Sequence, residues 1–148
     1  DGFGDYDYTL NTFAQNAAIT EYTIPFITKF QDKYGQLPNY NADTYSALYM
    51  LKEAVERAGT VDTDAVIVEL EKTDYIGAAG RFVFDEAHDV IWGPGYLTAV
   101  GIQWQDGELL AAWPLAWQPV ADNPDLVIGY EGVVPYQIPP HVLEQWRQ

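Results

Sequence analysis

FQDKYGQLPNYNADTYSALYMLKEAVERAG, residues 30–59, carries the reading of the fold. Two helices meet in it across a short polar turn. The first ends at Tyr34, because Gly35 supplies the left-handed residue that closes a helix and Pro38 prevents it from resuming. The second runs from about Ala42 to Ala58. Leu48, Leu51, Val55 and Ala58 fall on one stripe, extended by Tyr45, so this face is expected to meet a core. Glu53 and Arg57 stand four apart on the other face, in the order that favours an ion pair. Gly59 sits where a left-handed C-terminal cap belongs.

Working upstream, Thr23 is a candidate cap for the first helix, Pro25 suits its first turn, and Ile27, Phe30 and Tyr34 repeat on one side. Residues 1–22 alternate polar and aromatic side chains without a sustained period and read as an entry segment. Downstream, Asp62 or Thr60 caps a third helix through about Lys72, although Val66, Ile67 and Val68 would also suit a strand. A short strand follows from Arg81 to Phe84, with Phe82 and Phe84 on one side. Next comes a hairpin around Asp106-Gly107, which pairs Gln105 with Glu108 and Trp104 with Leu109. Continued outward, Ile102 meets Ala111 and Val100 meets Trp113, all on one face. The body therefore spans residues 23–114. Residues 115–148, rich in proline and aromatics, form a tail draped over it and anchored by Trp117, Tyr130, Tyr136 and Trp146.

The 148 residues suffice for one domain. Seven Lys and Arg against 22 Asp and Glu give a formal charge of −15, a field that repels phosphate backbones and anionic lipid heads. Nucleic-acid and membrane-surface partners are thereby disfavoured. Solubility, a high-salt habitat and a cationic docking partner all remain compatible with the acidity. With no cysteine, disulfide scaffolds, thiolate metal sites and cysteine catalysis are excluded. No apolar run reaches the roughly 20 residues a membrane span requires. The chain opens on Asp-Gly-Phe-Gly-Asp, without a signal peptide, and is read as mature sequence or a fragment of it.

The search for chemistry finds no nucleophile elbow, no phosphate loop and no dinucleotide fingerprint. His88-Asp89 is the best local pair, but neighbours on an extended chain point to opposite faces, so it reads as loop-shaping. Asp1, Asp5 and Asp7 lack the glycine and glutamate frame of a calcium loop. Neither catalysis, metal nor cofactor is expected. Tyr40 is of more interest. It stands between Asn39 and Asn41 at the start of the strongest helix, where free backbone donors and the positive dipole end suit a carboxylate. A ring there could cover a ligand or simply pack.

The order of motifs resembles the type I periplasmic binding proteins. Phe30-x-x-x-Tyr34-Gly35-x-x-Pro38 is followed by Thr44-Tyr45-x-Ala47-Leu48 in a helix ending Ala58-Gly59. Then come Gly77-x-x-Gly80, Phe84-Asp85-Glu86 with Asp89, Val100-x-x-Gln103-Trp104-x-x-Gly107, and Trp113-Pro114. The set spans residues 12 to 114 and is most similar to the branched-chain amino acid, amide and urea receptors of ABC importers. One departure is His88, where many relatives have glycine.

The resemblance implies an α/β fold, part of a two-lobed architecture, with three helices followed by a short strand and an antiparallel hairpin. It implies the C-terminal portion of a non-catalytic receptor that binds an amino-acid-like or amide solute in an interlobe cleft and hands it to an ABC permease. Such a receptor works in the periplasm or outside the cell, with any lipid anchor upstream of Asp1. In that family the aromatic residue before the Thr-Tyr-x-Ala-Leu helix lines the cleft, which makes Tyr40, Asn41 and Tyr45 the candidate ligand-binding residues. A sensory ectodomain of the same fold and a non-catalytic interaction module are the alternatives.

Overall fold

A computed structural model of the chain describes residues 4–12, 14–39, 41–93, 95–113 and 132–147. Strand β1 (Tyr8–Asn11) leads into three helices, α1 (Thr23–Tyr34), α2 (Asn41–Ala58) and α3 (Thr63–Leu70). A small ribbon follows, β2 (Asp74–Ile76) with β3 (Arg81–Val83), and then the hairpin β4 (Val100–Gln105) and β5 (Glu108–Trp113). A short helix, α4 (Pro140–Trp146), lies near the C-terminus.

Local signals account for the helix ends. Gly35 and Gly59 both adopt left-handed angles, φ 68° and 63°, and their N–H groups donate to Gln31 and Val55 at 2.8 and 2.9 Å. Asp62 caps α3, its Oδ1 accepting from the Ala65 N–H at 3.1 Å, so Val66–Val68 lie in a helix and not a strand. Thr23, by contrast, is not a cap. It is the first helical residue, fully buried. Its hydroxyl accepts from Thr20 N–H at 2.9 Å and donates to Ala78 O at 2.7 Å, which ties the start of α1 to the loop after β2.

The stripe expected to meet the core on α2 faces away from it. The buried positions are Ala42, Ser46, Met50 and Ala54, while Leu48 is 64% exposed and Tyr45 and Leu51 are also exposed. Close approach explains the choice. Gly77 lies against α2 so tightly that a Cβ built there would stand 2.3 Å from Ser46 Oγ. Only the small-residue face of α2 fits that contact, and the bulky face is left outside. Arg57 then links α2 to α3, donating to Glu69 O at 2.8 Å with Glu53 Oε2 3.8 Å away.

The hairpin register is as derived from Gln105↔Glu108 to Ile102↔Ala111. A bulge between Gly101 and Ile102 then brings Gly101, not Val100, opposite Trp113. As a result Trp113 is exposed, while Val100, Ile102 and Ala111 enter the core. β1 adds to the other edge of β4, giving the order β1-β4-β5. Several features lay beyond the sequence reading: β1 and α4, β2, paired to β3 with Tyr75 opposite Phe82, and the contribution of residues 14–19 to the core through Ala14, Ala17 and Ile19.

Among the described residues beyond the hairpin, Pro135 and Gln137 are fastened to β4 by glutamine side chains. Gln103 is fully buried on the face of β4 opposite Ile102. Its Nε2 donates to Tyr6 O and Gln137 O, and its Oε1 accepts from Gln137 N–H at 2.9 Å. Gln105 Nε2 donates to Pro135 O at 2.9 Å. Tyr136 meets the Tyr8 ring edge-on at 5.7 Å, whereas Trp146 is exposed. Trp117 and Tyr130 lie outside the described residues.

The core is built of small side chains. Among the described residues, eight of the sixteen buried hydrophobic side chains are alanine and Phe82 is the one aromatic among them, whereas nineteen large hydrophobic residues are exposed. Many bulky apolar side chains among the described residues therefore remain at the surface.

Candidate functional site

A groove of about 660 Å³ lies between α1 and α2, within the size range of small-molecule sites. Its wall is aromatic. Tyr34, Phe30 and Phe26 line up on α1, with ring centroids 4.7 and 5.9 Å apart. Phe26 meets Tyr45 of α2 at 5.2 Å, and Tyr45 meets Tyr49 at 4.8 Å. Helical spacing makes this row, because Phe26–Phe30–Tyr34 and Tyr45–Tyr49 are each four residues apart and stack along one side of their helix. The rings tilt at 43–50°, away from the face-to-face sandwich that the ring quadrupoles disfavour.

Polar groups punctuate the wall. Tyr45 OH donates to Tyr49 OH at 3.1 Å, and this bond, followed by burial, pushes the Tyr45 hydroxyl above its ordinary range. Burial raises Tyr75 likewise. Both phenols are therefore neutral hydrogen-bond donors at neutral pH. Lys29 and Lys33 stand on the α1 side, Lys33 Nζ lying 5.2 Å from the Tyr34 ring centroid. Glu53, Gly77 and Ala78 also line the groove.

Of the candidate binding residues, Asn41 and Tyr45 both line this groove. Asn41 also shapes the turn before α2, its Oδ1 accepting from Asn39 N–H at 2.9 Å. Tyr40 lies outside the described residues. Asp43 sits one step further along α2, half-buried, with Oδ2 accepting from Thr12 Oγ1 at 2.9 Å. Burial pushes its carboxyl upward, and Oδ1 is buried with no hydrogen-bond partner. The spacing of Phe26 with Phe30 and of Tyr45 with Tyr49 was readable from the sequence. Tyr75 and the Gly77–Ala78 backbone had no signal, because they arrive on the unforeseen strand β2.

Other candidates shape loops. Asp85 Oδ1 accepts from the N–H groups of Ala87 and Asp89 at 2.8 and 3.0 Å. His88 takes φ 67°, a conformation natural to glycine, and its Nε2 lies 3.1 Å from Glu71 Oε1. Asp5 Oδ1 accepts from Gly107 N–H at 3.4 Å, and Asp1 lies outside the described residues. Among the described residues, no group of three or more His, Cys, Asp or Glu side chains is placed to hold a metal, and no helix is long and apolar enough to cross a membrane.

A sequence model of the family described as "Periplasmic binding protein" matches residues 3–108. Leu/Ile/Val-binding protein homolog 7 of Brucella abortus (strain 2308) is 28% identical over 117 residues, covering 74% of this chain and 28% of its own length. A crystal structure of a leucine-binding protein of Thermotoga maritima superposes with a TM-score of 0.62 at 28% identity, covering 72% of this chain and 29% of that one. An ABC transporter substrate-binding protein of Desulfitobacterium hafniense, solved as its leucine complex, superposes with a TM-score of 0.63 at 25% identity, over 73% and 31%. The chain thus spans between a quarter and a third of the length of these relatives.

Proposed function

This chain belongs to the periplasmic binding protein family, and from that premise we propose that it forms one part of an extracytoplasmic receptor that binds a small amino-acid-like solute for an ABC importer. One observation carries the reading: the family match over residues 3–108, together with similar proteins named for leucine, isoleucine and valine binding. The family binds solutes and is not catalytic, in keeping with the empty search for catalytic motifs. The share of each relative that the chain spans supports its being part of a larger receptor.

Within that receptor the start of α2 supplies a wall of the solute site, through Tyr40, Asn41 and Tyr45. Apolar rings suit an aliphatic or aromatic side chain, and Asn41 with the neutral phenols offers hydrogen bonds to carboxylate or amide groups. Recognition proceeds by lobe closure: the solute binds the closed form better than the open one and shifts the population towards it. The permease then reads the closed shape.

Thermal melting of the polypeptide as its genome encodes it, against leucine, isoleucine, valine, simple amides and aromatic acids, tests the reading. A ligand present at about 100 times its Kd adds about 2.7 kcal/mol of stability, a rise of several degrees in Tm. A flat response across the whole panel would reject these solute classes.

A further inference from the structure

Asp43 is a half-buried carboxyl group placed where two parts of the chain meet. β1, β4 and β5 form one sheet, while α2 packs on α3 and β2 on β3. Residues 12–22 connect β1 to α1, and at their start Thr12 Oγ1 donates to Asp43 Oδ2 at 2.9 Å. That bond joins the end of β1 to the first turn of α2, between the candidate solute residues Asn41 and Tyr45. The other oxygen, Oδ1, is buried without a hydrogen-bond partner. Nor does a counter-charge compensate. Thr12 and the Asn11 before it are neutral, as are Asn41, Ala42 and Thr44 beside Asp43 on α2. Lys29 and Lys33 of α1 line the groove with Asn41, Thr44 and Tyr45, and Asp43 is not among its lining residues. None of the ion pairs among the described residues includes it. A carboxylate withdrawn from water with one oxygen unpaired is costly, and the neutral acid is penalised far less. Burial accordingly pushes the Asp43 carboxyl upward, and the Thr12 bond opposes that rise only in part.

We infer that Asp43 is a proton-sensitive brake on closure of the receptor: bringing α2 against the end of β1 buries its charge, so solute is held more tightly as pH falls. The inference rests on the receptor reading above and sets the moving boundary between the sheet and the start of α2. In the open form the carboxyl is hydrated and ionises as an ordinary carboxylate. In the closed form it meets Thr12 and loses water, which favours uptake of a proton. Affinity is therefore highest below the ordinary carboxylate value and declines as pH rises through the raised one. Asp43 acts on the solute only through the placement of α2, and Thr12 moderates the penalty by holding the ionised form.

Calorimetric titration of L-leucine into the polypeptide as its genome encodes it, at about pH 7 and about pH 4, tests this. Neither ionisable group of free leucine changes charge over that range. The Kd of the wild type falls at least about threefold on acidification, whereas Asp43→Asn holds the tighter value at both pH values to within about twofold. His88 and His141 are present in both proteins, so the comparison between them decides. Parallel profiles, or an Asp43→Asn that binds more weakly than the wild type at about pH 7, overturn the proposal. Thr12→Val is the second variant, sufficient if Asp43→Asn does not fold. Loss of the hydroxyl that favours the ionised form moves the midpoint of the profile to higher pH, and an unmoved midpoint refutes the brake. Small-angle scattering of the solute-free polypeptide does not depend on leucine. Acidification compacts the wild type more than Asp43→Asn, and equal compaction in both refutes the brake. Absence of leucine binding with that difference intact rejects leucine as solute and leaves the brake standing, so the two failures are separable.

Discussion

Gln103→Met removes the side-chain amide that fastens the C-terminal segment to β4. Methionine keeps nearly the same length and volume, so no cavity opens and the loss is polar. Four hydrogen bonds disappear: donation to Tyr6 O at 3.2 Å and Gln137 O at 2.8 Å, and acceptance from Gln137 N–H at 2.9 Å and Gln105 Nε2 at 2.8 Å. Gln105 keeps Pro135 O as acceptor, so three backbone groups are left without this partner. Fully buried, each would cost about 1–3 kcal/mol. These contacts are part-buried, and the freed segment can reach water, which places the total near the low end, about 3 kcal/mol. Urea denaturation followed by tryptophan fluorescence measures the loss, and amide exchange at residues 133–138 locates it. A loss below about 0.5 kcal/mol with exchange unchanged would refute the view that the glutamine amides hold the tail.

Three other perturbations probe separate parts of the fold. Gly77→Ala forces a Cβ against Ser46 Oγ and should destabilise by about 2 kcal/mol; adding Ser46→Ala should recover part of that loss, and additive effects in a double-mutant cycle would contradict the contact. Arg81 hydrogen-bonds both oxygens of Asp74 at 2.6 Å and holds its carboxyl below the usual range, so the pair contributes at neutral pH and fades as pH falls through that lowered value. Arg81→Met should remove about 0.5–1 kcal/mol at pH 7, a figure kept small because Asp74 is half-exposed, and should flatten this acid dependence; melting curves at pH 7 and pH 2 that keep the wild-type difference would count against it. Asp43 has the opposite sign: burial raises its carboxyl, so the folded state loses stability as pH rises from the ordinary carboxylate value through the raised one. Asp43→Asn retains an acceptor for Thr12 and should equal or exceed the wild type at pH 7 while losing that slope; a variant less stable by about 1 kcal/mol would show that the ionised carboxylate has a partner.

Legibility in the sequence followed the range of the interaction. Helix ends were readable because Gly35, Gly59 and Asp62 act on backbone groups within four residues. The hairpin register was readable from its two-residue turn as far as Ile102↔Ala111, and failed at a bulge that no turn chemistry specifies. β2 escaped because three residues, Asp-Tyr-Ile, carry no period, and its pairing with β3 is a tertiary choice. The burial of Gln103 and Gln105 carried no sequence signal, since burial of an amide depends on a segment thirty residues away.

The candidate site divides along the same line. Asn41 and Tyr45 were identified from the start of one helix, and the rings at four-residue spacing were visible in principle, whereas Tyr75 and the Gly77–Ala78 loop depend on β2. The stripe of Tyr45, Leu48 and Leu51 is the instructive reversal. It was expected to meet the core and instead stands exposed, because the small face of α2 alone fits the close approach of Gly77.

Calorimetric titration of L-leucine into the polypeptide as its genome encodes it, with the 148-residue chain run alongside, addresses the receptor reading most directly. The account predicts saturable one-to-one binding to the longer protein, weakened at least tenfold by Tyr45→Ala, and no measurable heat with the chain alone. Binding to the chain alone at equal affinity would contradict the account, as would binding to the longer protein that Tyr45→Ala leaves unchanged.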